Sequence, residues 1–253
     1  MKKYDNILII TDNLRITERF VREVIPLITR DINFEFACSP YSNIEQVDGF
    51  KFRKIDLREV IVVDKLIKTK DLIISIHCKQ LFPVKLIKKI KCINVHPGYN
   101  PVNRGWFPQV FAIINNYDIG ATIHEIDDKL DNGNIICRSK VQKYTYDTSD
   151  TLYNRVVEEE IKILIENINS VVDNTYKTFK PEDKGNLFLK KDFDDLCFID
   201  MAQQGTFREF YDRLRALSHS PHQNAYFLDE YNQKIFMKIE ITKSHNLSID
   251  AFL

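Results

Sequence analysis

Residues 3 to 38 read Lys-Tyr-Asp-Asn-Ile-Leu-Ile-Ile-Thr-Asp-Asn-Leu-Arg-Ile-Thr-Glu-Arg-Phe-Val-Arg-Glu-Val-Ile-Pro-Leu-Ile-Thr-Arg-Asp-Ile-Asn-Phe-Glu-Phe-Ala-Cys, and their pattern decides the fold. Lys3 to Thr11 contains the apolar run Ile7 to Ile10, of strand length. Ile16 to Ile28 spaces its apolar residues as a helix does, and Phe34 to Cys38 is strand-like again. A strand, a helix and a strand in that order make a parallel pair joined by a right-handed crossover. The alternation continues with a helix over Val60 to Ile67, a strand over Leu72 to His77, a proline-opened helix over Pro83 to Ile90 and a strand over Lys91 to Val95. The predicted fold is therefore α/β: a mostly parallel, Rossmann-like sheet with helices on both faces and ligands at the carboxyl ends of the strands.

Further along, the pattern predicts a helix over Trp106 to Asn115 and strands over Ala121 to Ile126 and Ile135 to Val141. Thr148, Ser149 and Asp150 offer N-caps for a long helix, Leu152 to about Val172, with Glu158 to Glu160 expected on its solvated half. Pro181, Gly185 and Asn186 then break the pattern. The expected division is a catalytic domain over 1–185 and a smaller region over 186–253. In the latter we expect a helix over Phe207 to Leu217 and a β-hairpin of Ala225 to Leu228 with Lys234 to Ile241. Two strands alone are marginal in water, so the hairpin is expected to pack on a second subunit as a homodimer.

Charge and composition exclude several functions. The 253 residues carry 36 basic and 36 acidic side chains, so no net field draws the chain to nucleic acid or an anionic membrane. No apolar run approaches the roughly 20 residues that cross a bilayer, and Asp12 ends the first one too early for a secretory leader. A soluble, cytoplasmic protein is expected. Five cysteines, at 38, 78, 92, 137 and 197, are odd in number and never spaced Cys-x-x-Cys, against both disulfides and a structural zinc. No metal is expected. The first strand-to-helix turn, Thr11-Asp12-Asn13-Leu14-Arg15, lacks the Gly-x-Gly-x-x-Gly of a dinucleotide site, and neither a phosphate-binding loop nor a Gly-x-Ser-x-Gly elbow occurs.

One constellation remains. In Cys92-Ile-Asn-Val-His-Pro-Gly98, Asn94 and His96 are two apart on a strand and face the same way. Asp131, in Leu130-Asp-Asn-Gly-Asn-Ile-Ile136, sits in a turn between two β-like segments, where either a plain hairpin turn or a site loop fits. As an EF-hand this loop fails, with Leu130 and Ser139 at ligand positions. An imidazole can take a proton from a nucleophile, a carboxylate can fix its tautomer, and a carboxamide can hold an oxyanion. Those are the requirements of acyl transfer without a covalent enzyme intermediate.

These residues resemble a known family. Asn94-x-His96, the Pro-Gly and Arg104-Gly105 that follow, His124, and Asp131-x-Gly133-x-Ile135 look like the signature of folate-dependent formyltransferases. The run Asn94 to Phe111 and the segment Leu214 to Phe227 are similar to the sugar N-formyltransferase branch. The resemblance implies N10-formyltetrahydrofolate as formyl donor and a dTDP-linked amino-dideoxy sugar as acceptor, leaning to dTDP-4-amino-4,6-dideoxyglucose, for O-antigen or other surface glycan synthesis. It implies Asn94 as oxyanion donor, His96 as base and Asp131 as the group that orients or reprotonates. It places the donor at His77, Cys78, Lys79, Gln80, Leu81, Phe82 and Pro83, with Leu130, Gly133 and Ile135, and the acceptor at Tyr99, Asn103, Arg104, Gly105, Trp106, His124, Asn224 and Tyr226. Arg104 and Lys79 are either diphosphate contacts or surface charges; His124 is either a supporting or a structural histidine. The competing functions are a 3-amino-3,6-dideoxyhexose or purine-pathway formyltransferase, a methionyl-tRNA formyltransferase, and a non-catalytic folate- or nucleotide-sugar-binding module. Residues 186 to 253 hold eight Lys or Arg against ten Asp or Glu, which disfavours tRNA.

Overall fold

The computed structural model describes residues 2–244, so the last nine positions of the expected 186–253 region lie outside the described residues. Its elements are β1 (Asn6–Thr11), α1 (Leu14–Arg19), β2 (Asn33–Cys38), β3 (Gln46–Val47), β4 (Phe50–Lys54), α2 (Val60–Thr69), β5 (Leu72–Ile76), α3 (Val84–Ile87), β6 (Lys91–His96), β7 (Arg104–Gly105) and α4 (Pro108–Ile114). Then follow β8 (Ile119–Glu125), β9 (Ile135–Val141), α5 (Ser149–Val172), β10 (Leu187–Phe188), α6 (Lys190–Cys197), α7 (Phe207–Leu217), β11 (Ala225–Leu228) and β12 (Lys234–Met237). The main sheet has the order β3-β4-β2-β1-β5-β6-β8-β9. Strands β4, β2, β1, β5 and β6 run parallel, and β3, β8 and β9 are antiparallel to their neighbours.

Successive residues of β1 feed the two faces of this sheet. Ile7 and Ile9 pack with Phe20, Val24, Val157, Ile161 and Leu164 under α1 and α5, while Leu8 and Ile10 pack with Val63, Leu66 and Leu86 under α2 and α3. The α/β sheet with helices on both faces is thus as expected. The helix expected over Ile16 to Ile28 is α-helical only to Arg19, then widens through a π turn, Phe20–Val24, and tightens into a 3-10 turn, Ile25–Leu27, that contains Pro26. Pro26 has no N–H to continue the ladder. Pro83 to Ile90 shortens to one turn, Val84–Ile87. The second strand of the C-terminal hairpin ends at Met237 rather than Ile241.

A second core joins the C-terminal region to the sheet domain: Val110, Phe111, Leu152 and Val156 meet Phe193, Leu217 and Ala225. The ring of Phe111 stacks on Phe188 at 3.9 Å. A two-residue ladder, β7 with β10, ties the Arg104–Gly105 turn to Leu187–Phe188. From β1 the chain moves outward to β2 and β4, then crosses back to β5 and β6, so the strand order reverses between β1 and β5, which is where open α/β sheets form ligand crevices.

Candidate active site

The carboxyl end of β6 presents Asn94 and His96. The register of β6 against β8 sets His124 opposite Asn94 and Thr122 opposite His96. Asp131 enters from the β8–β9 connection with φ +45°, a left-handed conformation that Asp tolerates better than most residues. Its side chain is 10 % exposed and collects the cluster. Asn94 Nδ2 donates to Asp131 Oδ1 at 3.1 Å and the Gly105 N–H donates to Oδ2 at 3.0 Å. His96 Nδ1 lies 3.6 Å from Oδ2, and His124 Nε2 lies 3.5 Å from Oδ1. Burial by itself would raise the Asp131 carboxyl; the imidazoles of His96 and His124, when they carry a proton, and the Gly105 amide overcome it and hold the group far below the usual carboxylate range.

The partners of each ring fix its tautomer. His96 Nε2 lies 2.8 Å from the Asn103 carbonyl, so it carries the proton and leaves the Nδ1 lone pair to act as base. His124 Nδ1 faces the Glu125 carbonyl at 2.7 Å, so its Nε2 accepts, at a long 3.4 Å, from Asn94 Nδ2. One amide hydrogen of Asn94 is therefore anchored by Asp131, and the other makes a weak contact that an incoming oxygen can replace. Gly98 is needed for this packing, since a Cβ there would stand 2.5 Å from His96 Nε2 and 2.7 Å from the Asn103 oxygen.

Arg104 is half-buried, and its Nε has no partner among the described residues. It donates to Asn132 Oδ1 at 2.9 Å, and Asn132 in turn donates to Asp127. Arg104 thus braces the Asp131 loop rather than standing as a solvated surface charge. Gly133 lies where a Cβ would meet the Glu125 oxygen at 1.7 Å, so it closes the β8–β9 loop. Ile135 exchanges both main-chain hydrogen bonds with Phe179, which leaves no amide edge for a donor. Leu130 is half-buried. Tyr99 lies beneath the Arg138 guanidinium, 4.5 Å from its ring centre. Trp106 packs its ring 5.7 Å from that of Phe107, and its main-chain amide donates to the Phe188 carbonyl. Asn224 donates to the Leu217 carbonyl, and Tyr226 packs between Phe198 and Phe236 with Lys234 over its ring. Both are used within the C-terminal region, and no hydrogen bond joins either to the triad among the described residues.

The segment after β5 is held from behind. Asp12 accepts from the amides of Ser39 and Lys79, each at 2.8 Å. Gln80 accepts from the Leu57 amide and donates to the Ile55 carbonyl. His77 turns towards α5, where its Nε2 meets Glu160. The side chains of His77 and Gln80 therefore secure the segment, and what it offers to a ligand is main chain. Leu81 is 77 % exposed, and the amides of Leu81 and Phe82 have no partner among the described residues, which fits the amide-seeking edge of a pterin. Pro83 and Phe82 lead into α3. Beside this segment a cleft of about 650 Å³ opens over β1 and β2, with Tyr41, Arg58, Lys79 and Leu81 among its walls. No thiol is poised as a nucleophile: burial pushes Cys78 and Cys92 up to about 12.

Three supporting residues escape a sequence reading. Thr122 donates to the Gly98 carbonyl and accepts from the Asn100 amide, and Asn100 Nδ2 donates to the Asp131 carbonyl. The fully buried Glu160 replaces the solvated carboxylate expected there. Its signal was spacing: it stands four residues from Val156 and from Leu164, on the apolar stripe of α5.

Known proteins resemble the chain in sequence and fold. Residues 35–168 match the model of the formyl transferase family, and residues 192–243 match an N-formyltransferase dimerization C-terminal domain. The chain is 40 % identical over 233 residues, 92 % of its length and 95 % of the relative's, to a dTDP-4-amino-4,6-dideoxyglucose formyltransferase of Mycobacterium bovis. A 4-N formyltransferase from Francisella tularensis superposes with TM-score 0.87 at 36 % identity, covering 95 % of this chain and 99 % of that one. A sugar N-formyltransferase from a Shewanella species gives TM-score 0.87 at 31 % identity with the same coverage. The family match, the relative at 40 % identity and the superposed structures place the chain in the formyl transferase family, among its sugar N-formyltransferases.

Proposed function

We propose that this enzyme transfers the formyl group of N10-formyltetrahydrofolate to the 4-amino group of dTDP-4-amino-4,6-dideoxyglucose, for O-antigen or another surface glycan. The observation that carries this reading is the meeting of Asn94, His96 and Asp131 in one cluster, with Asn94 and His96 on a single strand end. The donor, when bound along residues 78–83, supplies an activated formyl group and tetrahydrofolate as leaving group. His96 Nδ1 takes the proton from the attacking sugar amine, Asp131 balances the imidazolium that forms, and the same proton returns to N10 as the N10–formyl bond breaks and tetrahydrofolate leaves. The free hydrogen of Asn94 Nδ2 stabilises the developing oxyanion, an interaction worth roughly 3 to 4 kcal/mol in comparable sites.

Tyr99, Asn103 and the 104–106 turn form the acceptor side; Lys79 and Arg58 line the separate cleft beside residues 78–83. The acceptor's identity is supported by the activity of the Mycobacterium bovis relative. Five free cysteines suit a reducing, cytoplasmic setting. Residues 186–253 form the dimerising region, in line with the matched C-terminal domain and with exposed Phe198, Met201, Phe207 and Phe236. The test is to offer N10-formyltetrahydrofolate with a panel of dTDP- and UDP-linked 3-amino and 4-amino sugars and to detect the formamide by mass spectrometry. Preference for the dTDP 4-amino sugar is expected; turnover of none, or preference for a 3-amino sugar, overturns the assignment.

A further inference from the structure

One buried ionisable pair takes no part in the chemistry above. Glu160 is fully buried in α5, and both of its carboxylate oxygens face His77 Nε2, at 2.8 and 2.9 Å. His77 follows β5 directly and adopts φ +53°, a conformation uncommon for a residue with a side chain. Its Nδ1 lies 3.1 Å from Tyr153 Oη and 3.1 Å from Asn13 Nδ2, and Asn13 also donates to Tyr153 Oη at 2.9 Å. The four side chains agree on one pattern. Nε2–H donates to Glu160, Nδ1 accepts from the tyrosine hydroxyl, and that hydroxyl accepts from Asn13.

Asn13 follows β1 and His77 follows β5, so the cluster spans the gap at which the strand order reverses and ties both strand ends to α5. A buried carboxylate whose partner is one imidazole adds little stability over an apolar pair of the same size. Its placement, however, is decisive for the segment that leaves β5. The left-handed turn at His77 sets the direction of residues 78–83, and the ring can hold that turn only because Glu160 and Tyr153 grip both nitrogens.

We propose that His77 and Glu160 are positioning residues for the formyl donor: the pair locks the left-handed exit from β5 and thereby aims the free amides of Leu81 and Phe82 at the pterin. This rests on the function proposed above, in which that segment receives the donor. Neither side chain touches the donor or the reacting atoms. The effect therefore falls on donor affinity and not on acceptor affinity or the chemical step.

The experiment compares wild type, Glu160→Gln, His77→Gln and the double variant by initial rates, varying donor at saturating amino sugar and the converse, with Tm as a check of folding. Calorimetric titration with tetrahydrofolate reads donor affinity without turnover. Each single variant is expected to raise the donor KM and the tetrahydrofolate Kd about fivefold or more, with the acceptor KM and kcat within about twofold. The double variant is expected to be no weaker than the worse single one, since the pair acts as a unit. Glu160→Gln replaces the charge-assisted bond to Nε2–H by a weaker neutral one, which loosens the grip without emptying the site, so it remains a test if His77→Gln does not fold. Unchanged tetrahydrofolate affinity in folded Glu160→Gln, or an equal rise of both KM values, overturns the proposal. A wild-type protein that binds tetrahydrofolate but turns over no amino sugar refutes the proposed function instead, and the titrations still decide the positioning role.

Discussion

Replacing Asp131 by Asn preserves the shape of the triad and removes its charge. In the native site the carboxylate anchors Asn94 and the Gly105 amide and stands 3.6 Å from His96 Nδ1. When His96 takes the proton of the amine, that separation gives an attraction of roughly 4 to 5 kcal/mol at an effective dielectric constant of about 20. Some of this is recovered by a reoriented amide, which leaves a loss of about 3 to 4 kcal/mol in the transition state, or a fall in kcat of about 10²- to 10³-fold. Because Asp131 is nearly buried and already bonded to Asn94 and Gly105, both KM values should move little. The assay is formamide production at saturating donor and acceptor, with Tm as a control for folding. An Asp131→Asn protein that folds normally and keeps kcat within about fivefold of wild type would refute the argument that this carboxylate balances the imidazolium.

Other perturbations test neighbouring parts of the account. His96→Asn should abolish formyl transfer while tetrahydrofolate binding, followed by calorimetry, persists; retained turnover would remove His96 as base. Gly98→Ala should cost kcat at least about tenfold with the fold intact by circular dichroism, because the added methyl displaces His96 from Asn103. At the far end of the sheet, Asp71 accepts from Lys2, from the Asn6 side chain and from the amides of Asp5 and Asn6. Burial works against its ionisation, but those donors outweigh it and bring its carboxyl down to about 2. The folded-state pKa is depressed, so this stabilisation is present above about pH 4 and is lost as pH falls towards 2. Asp71→Asn should lower stability by about 1 kcal/mol at pH 7, a gap that urea titrations should find closing below pH 4.

The parallel core was legible because β1 and β5 are covered on both faces and read as short, nearly continuous apolar runs, while β6 shows Cys92, Ile93 and Val95 around its site residue Asn94. Strand β4, Phe-Lys-Phe-Arg-Lys, was not: near the sheet edge it exposes charged residues and resembles a polar connection. The β7–β10 ladder is two residues long on each side, too short for any periodicity, and α6 carries few apolar residues to mark a stripe. At the site, the two-residue spacing of Asn94 and His96 was enough to set them on one face. The bracing role of Arg104 was not visible, since a sequence cannot show that Asn132 faces it across the turn. Glu160 was misassigned to solvent because its one buried partner, His77, lies 83 positions away.

The pairing of Arg104–Gly105 with Leu187–Phe188 makes the wall of the acceptor side a composite of two distant segments. The Arg104 amide donates to the Asn186 carbonyl and the Trp106 amide to the Phe188 carbonyl, while the Asn186 amide donates to Pro101. A chain cut before residue 186 would keep every member of the triad yet release the turn whose Gly105 amide holds Asp131. If residues 99–106 meet the acceptor as proposed, transplanting a new sugar preference means exchanging them together with 186–188, because either half alone arrives without the strand that gives it shape.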